Sequence, residues 1–160
     1  MNVSETDTPR QPARRYAVVA SRYNDAIVSR LLAGAVECLE SHGVAEADTV
    51  VVRVPGSFEL PQAARRLAAT RQFDAVICLG ALIRGETSHF EWIASAVAHG
   101  ITRAAEETGV PMSFGVLTTE TLDQARERAG GKVGNKGWEA ASAAMEMADL
   151  AERIDRMGRA

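Results

Sequence analysis

Apolar positions along this chain alternate between short unbroken runs and stripes at helical spacing. The run Tyr-Ala-Val-Val-Ala from Tyr16 has the character of a strand buried on both faces. Asn24 and Asp25 then offer a cap, and Ile27, Val28, Leu31, Leu32, Ala35, Val36 and Leu39 recur at helical intervals until Gly43 ends the helix. The same alternation predicts a strand over 49–54, a helix near 60–72, a strand over 75–79 and a helix near 89–108 closed by Gly109 and Pro111. A fourth strand over 112–117 leads into a helix near 120–129, and Gly130-Gly131 separates this from a last helix near 135–154.

Strand and helix in strict alternation predict an α/β fold: a three-layer sandwich, flavodoxin-like, with a four-stranded parallel sheet and helices on both faces. The last helix carries two stripes, one with Trp138, Ala141, Met145 and Ala148 and another with Met147, Leu150 and Ile154, so one face is expected to meet a neighbouring subunit. Ligands of open parallel sheets bind outside the carboxyl ends of the strands. The informative segments therefore follow Ala20, Val54, Gly80 and Leu117.

With 160 residues and 46% apolar content, the chain suits one core, read as a single domain over 15–160. Residues 1–14 are polar, contain Pro9 and Pro12, and are expected to form a flexible tail. Eighteen basic against 21 acidic residues leave a net charge of -3, which carries no nucleic-acid footprint. Cys38 and Cys78 lack metal-spaced neighbours and read as buried reduced thiols. The apolar runs are too short for a bilayer, and the first residues lack the apolar stretch of a signal peptide, so a cytoplasmic location without membrane association is expected.

The segment Val54-Pro55-Gly56-Ser57-Phe58-Glu59-Leu60-Pro61 combines a turn, an aromatic ring, a carboxylate and a helix-starting proline. Glu59 is then either a carboxylate favoured by the helix dipole or an acceptor for substrate hydroxyls beside Phe58. In Gly80 to Phe90, Gly85, Thr87 and a helix N-terminus can offer donors to a phosphate. His89, on the first helical turn, reads as a structural histidine or as a proton carrier next to that anion site. Tyr23 is a lid on the core or a stacking surface for a planar heterocycle.

Common nucleotide motifs are absent: no Gly-x-Gly-x-x-Gly follows the first strand, and Gly131 to Gly137 lacks Walker spacing. A receiver-type signalling domain needs acidic strand ends, whereas here the first strand ends Ala20-Ser21-Arg22 and the third Leu79-Gly80. Arg128, about eight residues into its expected helix, would lie on the order of 12 Å from its own strand-end cleft. That distance suits it to a neighbour's site.

Four segments in order, Val54 to Pro61, Leu79-Gly80 to His89-Phe90, Phe114-Gly115-Val116-Leu117-Thr118-Thr119-Glu120 and Gln124-Ala125-Arg126-Glu127-Arg128-Ala129-Gly130, resemble the 6,7-dimethyl-8-ribityllumazine synthase family. The resemblance runs from about Tyr16 to Leu150. It implies a riboflavin-biosynthesis transferase that condenses 5-amino-6-(D-ribitylamino)uracil with 3,4-dihydroxy-2-butanone 4-phosphate, releasing phosphate and water, without metal or redox cofactor. By matching motif, Tyr23 stacks on the pyrimidine, Ser57, Phe58 and Glu59 hold the ribityl chain, and Ala81, Leu82 and Ile83 contact the ring. Glu86 and Thr87 supply phosphate contacts, and His89 and Arg128 are the catalytic pair. Phe114 and Arg128 come from the adjacent subunit, and Lys136 joins the binding set.

The sequence departs from the family at Tyr23, where Phe or Trp is usual, at Ser57, where Ala is frequent, and at Ala81-Leu82, where Thr or Val often occur. Glu86 brings a carboxylate beside the expected phosphate, so its contact is expected through the backbone N–H with its side chain turned away. The resemblance also implies a homo-oligomer: a pentamer, or twelve pentamers in an icosahedral shell, with possible association with riboflavin synthase. The short Gly130 to Gly137 connection resembles the shell-forming type, whereas Pro9 and Pro12 oppose an added N-terminal strand. A reading from another class is a weakly catalytic flavin- or lumazine-binding or scaffold paralogue.

Overall fold

The computed structural model describes residues 13–159. Four strands, β1 (Tyr16–Ser21), β2 (Thr49–Val54), β3 (Ala75–Ile83) and β4 (Met112–Thr119), form one parallel sheet in the order β2-β1-β3-β4. The helices between them are α1 (Asp25–Ser41), α2 (Leu60–Ala69) and α3 (His89–Thr108). Beyond β4 come α4 (Leu122–Glu127), a small hairpin of β5 (Ala129–Gly131) and β6 (Gly134–Asn135), and α5 (Lys136–Met157).

Alternate side chains of the central strands divide the core in two, because successive residues of a strand face opposite ways. Val18, Ala20, Ile77 and Leu79 pack with residues of α1 and α5, while Ala17, Val19, Val76 and Cys78 pack with α2 and α3. Burial on both faces explains why β1 and β3 read as continuous apolar runs rather than as alternating ones. The expected three-layer architecture is therefore the observed one. Cys38 and Cys78 are buried free thiols, and full burial pushes the Cys78 thiol up to about 12.

On the first face, α1 and α5 approach so closely that a Cβ on Gly137 would collide with the Leu31 carbonyl. Asn135 fixes that approach from both ends of its amide. Its oxygen accepts from the N–H groups of Gly137 (2.8 Å) and Trp138 (3.1 Å), capping α5, and its nitrogen donates to the Arg30 carbonyl (3.0 Å) in α1. The stripe with Ala141 and Ala148 is buried and Trp138 and Met145 pack against the core, leaving Met147, Leu150 and Ile154 exposed.

Several boundaries differ from the sequence expectation. Gly80 reads as a strand end, yet β3 continues to Ile83 because β4 offers pairing as far as Ile83 opposite Thr119. Ala81, Leu82 and Ile83 are thus strand residues. The helix expected over 120–129 is only Leu122–Glu127, started by Thr121, whose side chain accepts from the Gln124 N–H at 3.1 Å. The chain then turns through the β5–β6 hairpin, with Gly130 and Gly134 at positive φ (95° and 96°), so Arg128 stands past the helix end.

Of the tail expected over 1–14, residues 1–12, including Pro9 and Pro12, lie outside the described residues. Arg14 is anchored on α5 by Asp149 (2.9 Å) and Glu152 (2.6 Å). Among the described residues, no helix is long and apolar enough to cross a membrane.

Candidate active site

The chain passes from β1 outward to β2 and then back across to β3, so a crevice opens at the carboxyl ends of β1 and β3. The loops leaving β1 and β2 stay paired beyond the sheet: Arg22 donates to the Val54 carbonyl (2.7 Å) and Tyr23 to that of Pro55 (3.0 Å). This extension sets Tyr23 beside the turn that carries Ser57 and Phe58.

A cavity of about 480 Å³ occupies the crevice. Tyr23 and Asn24 line it from the β1 loop, Pro55 to Glu59 from the β2 loop, and Leu82 and Ile83 from β3. Gly85, Thr87, His89, Phe90 and Ile93 complete it from the start of α3. Eight residues singled out in the sequence thus meet in one place: Tyr23, Ser57, Phe58, Glu59, Leu82, Ile83, Thr87 and His89.

Two of the aromatic rings stand at the surface, Tyr23 at 71% and Phe58 at 63% exposure, where they can take a planar ligand without rearranging the core. Ser57 is nearly buried, since Gly80 opposite it has no side chain; a Cβ there would lie 2.5 Å from the Ser57 Oγ. The Glu59 carboxylate reaches back toward Gly56, to 3.3 Å from where a Cβ on that residue would stand. It makes no capping bond to α2, which leaves it available to hydroxyl donors.

On the α3 side, Ser88 occupies the cap position without a side-chain cap bond, so the first N–H groups of a 20-residue helix face no capping oxygen from it. Such an end attracts anions through its N–H groups and its dipole. Gly85 and Thr87 line the cavity while Glu86 between them is exposed and does not. His89, the first residue of α3, is exposed and borders the same space.

The remaining candidates lie elsewhere. Ala81 is buried against the α1 face of the core, and its carbonyl accepts from the Asn24 amide at 2.8 Å. Phe114, Arg128 and Lys136 line a second hollow of about 350 Å³ along β4, together with Thr118, Thr119 and Val133. The two hollows share no lining residue. Arg128 donates to the Gln124 carbonyl at 3.1 Å, and Phe114 is 39% exposed on β4, the outermost strand of the sheet on that side.

Asn24, Phe90 and Ile93 are cavity residues that sequence reasoning missed. Asn24 takes the expected cap position of α1, but at φ 60° it is left-handed, its side chain makes no cap bond, and its amide turns across to β3. Phe90 and Ile93 follow His89 at helical spacing and are seen as lining only once the start of α3 is placed.

Chemically, the cavity offers rings and aliphatic walls for a flat heterocycle, a carboxylate and hydroxyls for a polyol, and an open helix end for an anion. Among the described residues, no Lys or Arg side chain lines it. Nearby Arg84 is engaged by Glu91 and Glu120.

Residues 13–152 match the family described as 6,7-dimethyl-8-ribityllumazine synthase. A protein of that name from Syntrophus aciditrophicus (strain SB) is 54% identical over 140 residues, covering 88% of this chain and 91% of the relative. Another from Chloroherpeton thalassium (strain ATCC 35110 / GB-78) is 51% identical over 140 residues, covering 88% and 90%.

Proposed function

Because the chain belongs to the 6,7-dimethyl-8-ribityllumazine synthase family, we propose that its β1–β3 cavity binds 5-amino-6-(D-ribitylamino)uracil and 3,4-dihydroxy-2-butanone 4-phosphate and joins them. The activity is that of a transferase of riboflavin biosynthesis. The observation that carries this reading is the composition of the cavity: stacking rings, a free carboxylate and an uncapped helix start, matched to heterocycle, polyol and phosphate.

Tyr23 stacks on the pyrimidine, and Ser57, Phe58 and Glu59 hold the ribityl chain. Leu82 and Ile83 bound the ring, with Ala81 acting through its backbone. The phosphate lies against the backbone at Glu86 and Thr87. The amine of the pyrimidine attacks the ketone, and loss of water gives an imine. Elimination then releases inorganic phosphate, and attack by the second nitrogen on the remaining carbonyl, with loss of a second water, closes the ring. His89 carries protons between these steps, since an imidazole exchanges them near neutral pH. Holding two substrates in contact supplies much of the acceleration, which fits a site with few strongly catalytic groups.

Among the described residues, no Lys or Arg lines this cavity to meet a phosphate dianion, while Arg128, Lys136 and Phe114 stand together in the β4 hollow. The site is accordingly shared: Phe114, Arg128 and Lys136 of one chain complete the cavity of an adjacent copy. The oligomer is a pentamer, with twelve pentamers in a shell as the larger form, in the cytoplasm and able to associate with riboflavin synthase. The exposed Met147, Leu150, Ile154 and Met157 on α5 and Trp92 on α3 are apolar surface for contacts between copies.

The test is to mix purified protein with both substrates and follow lumazine fluorescence. Product formation is expected, and binding without product would favour a ligand-binding paralogue. Light scattering distinguishes monomer, pentamer and shell, and an active monomer would refute the shared site.

A further inference from the structure

Arg84 follows the last residue of β3 and makes contact with three separate elements. Its backbone N–H donates to the Thr119 carbonyl at 2.9 Å, continuing the β3–β4 pairing one step beyond the sheet. Its guanidinium reaches Glu91 in the first turn of α3 at 2.9 Å and Glu120 after β4 at 2.8 Å. The same group lies over the Phe90 ring, 4.8 Å from its centroid. Phe90 lines the cavity and His89 precedes it.

We propose that Arg84 is a positioning residue: it clamps the first turn of α3 to the end of β4 and so fixes the Gly85–Ser88 loop, His89 and Phe90 around the phosphate of the substrate. The proposal rests on the reaction assigned above and adds a residue that does not itself touch substrate.

The physical case is one of multiplicity. A single exposed ion pair contributes little, because solvent screens it and two long side chains must be immobilised. Here one planar fork meets two carboxylates on different elements while its face rests on an aromatic ring, a geometry that lysine cannot reproduce. The segment it spans, from Gly85 to Ser88, has no regular secondary structure and is exposed throughout. Its placement therefore depends on what anchors its ends. Two carboxylates also neutralise the guanidinium, so Arg84 stands beside the anion site without being its free cation.

That last point gives the decisive experiment. Steady-state constants for both substrates are measured for the native protein, Arg84→Ala, Arg84→Lys, Glu91→Gln and Glu120→Gln. Arg84→Ala is expected to raise KM for the phosphorylated ketone by about tenfold, with a much smaller change for the pyrimidine, since small misplacements of a binding loop are costly. Glu91→Gln and Glu120→Gln should move the ketone KM in the same direction, by less, and Arg84→Lys should restore only part of the loss.

If Arg84 binds phosphate directly, releasing it from Glu120 would instead lower the ketone KM, and that result overturns the proposal. An unchanged KM in Arg84→Ala overturns it too. Should Arg84→Ala fail to fold, the sign of the change in the two glutamine variants still decides. Amide hydrogen exchange over 84–92 separates this question from the reaction: if the native protein makes no product, the assigned reaction falls, while faster exchange in Arg84→Ala still supports the clamp and equal exchange refutes it.

Discussion

The side-chain amide of Asn24 donates to the carbonyl of Ala81 at 2.8 Å, joining the loop after β1 to β3 beside the cavity. Asn24 is left-handed at φ 60°, a conformation that asparagine tolerates better than most side chains. Asn24→Ala should lower stability by about 1–3 kcal/mol, from one lost hydrogen bond and the left-handed penalty together. Asn24→Gly should lie between, because it relieves the backbone but not the bond. Urea denaturation measures both, and native-like stability of Asn24→Ala would show that the tie contributes nothing.

Gly80 leaves the space in which Ser57 packs. A Cβ would stand 2.5 Å from the Ser57 Oγ and 3.3 Å from that of Ser21, a buried hydroxyl without a hydrogen-bond partner. Gly80→Ala is expected to displace the Ser57–Glu59 turn, cost about 1–3 kcal/mol, and raise KM for the pyrimidine substrate. A Gly80→Ala enzyme with native kinetics would mean that the turn does not depend on this contact.

His89→Ala should slow turnover while retaining measurable activity, because proximity of the substrates does not depend on the imidazole. Arg128→Ala should lose most binding of the phosphorylated ketone. In a mixed oligomer of the two variants, sites built from an intact His89 and an intact Arg128 should recover activity. Equal, small effects of both substitutions would count against these roles.

Burial pushes the Tyr16 hydroxyl up to about 12 from an ordinary value of 10.0. The folded chain then holds a proton that the unfolded chain has already released. Its contribution is full below pH 10 and is lost as pH rises through 12. Cys78, also near 12, adds a decline in the same direction. Thermal melts should thus fall through this alkaline window, and more shallowly in Tyr16→Phe. An identical alkaline limb in the two proteins would exclude Tyr16 as a contributor.

Residue patterns at strand ends point to most of the residues that line the candidate site. Val54 to Pro61 and Gly80 to Phe90 were legible because they are short, local and bounded by turn-forming residues. Asn24 holds the cap position that the sequence predicts, but its side-chain partner, the Ala81 carbonyl, is 57 positions away and no local pattern points to it. Arg128 was placed on a helix that ends one residue earlier, since the β5–β6 hairpin shortens α4.

Periodicity and punctuation are local properties of the chain, so the sequence by itself determined the order of strands and helices, the apolar faces and the family. Sheet order, the extension of β3 to Ile83 and the division of candidates between two hollows were decided only by tertiary structure. Each of these depends on which backbone pairs with which across long separations. A strand continues for as long as its neighbour offers hydrogen-bonding groups, and no local pattern records where that neighbour stops.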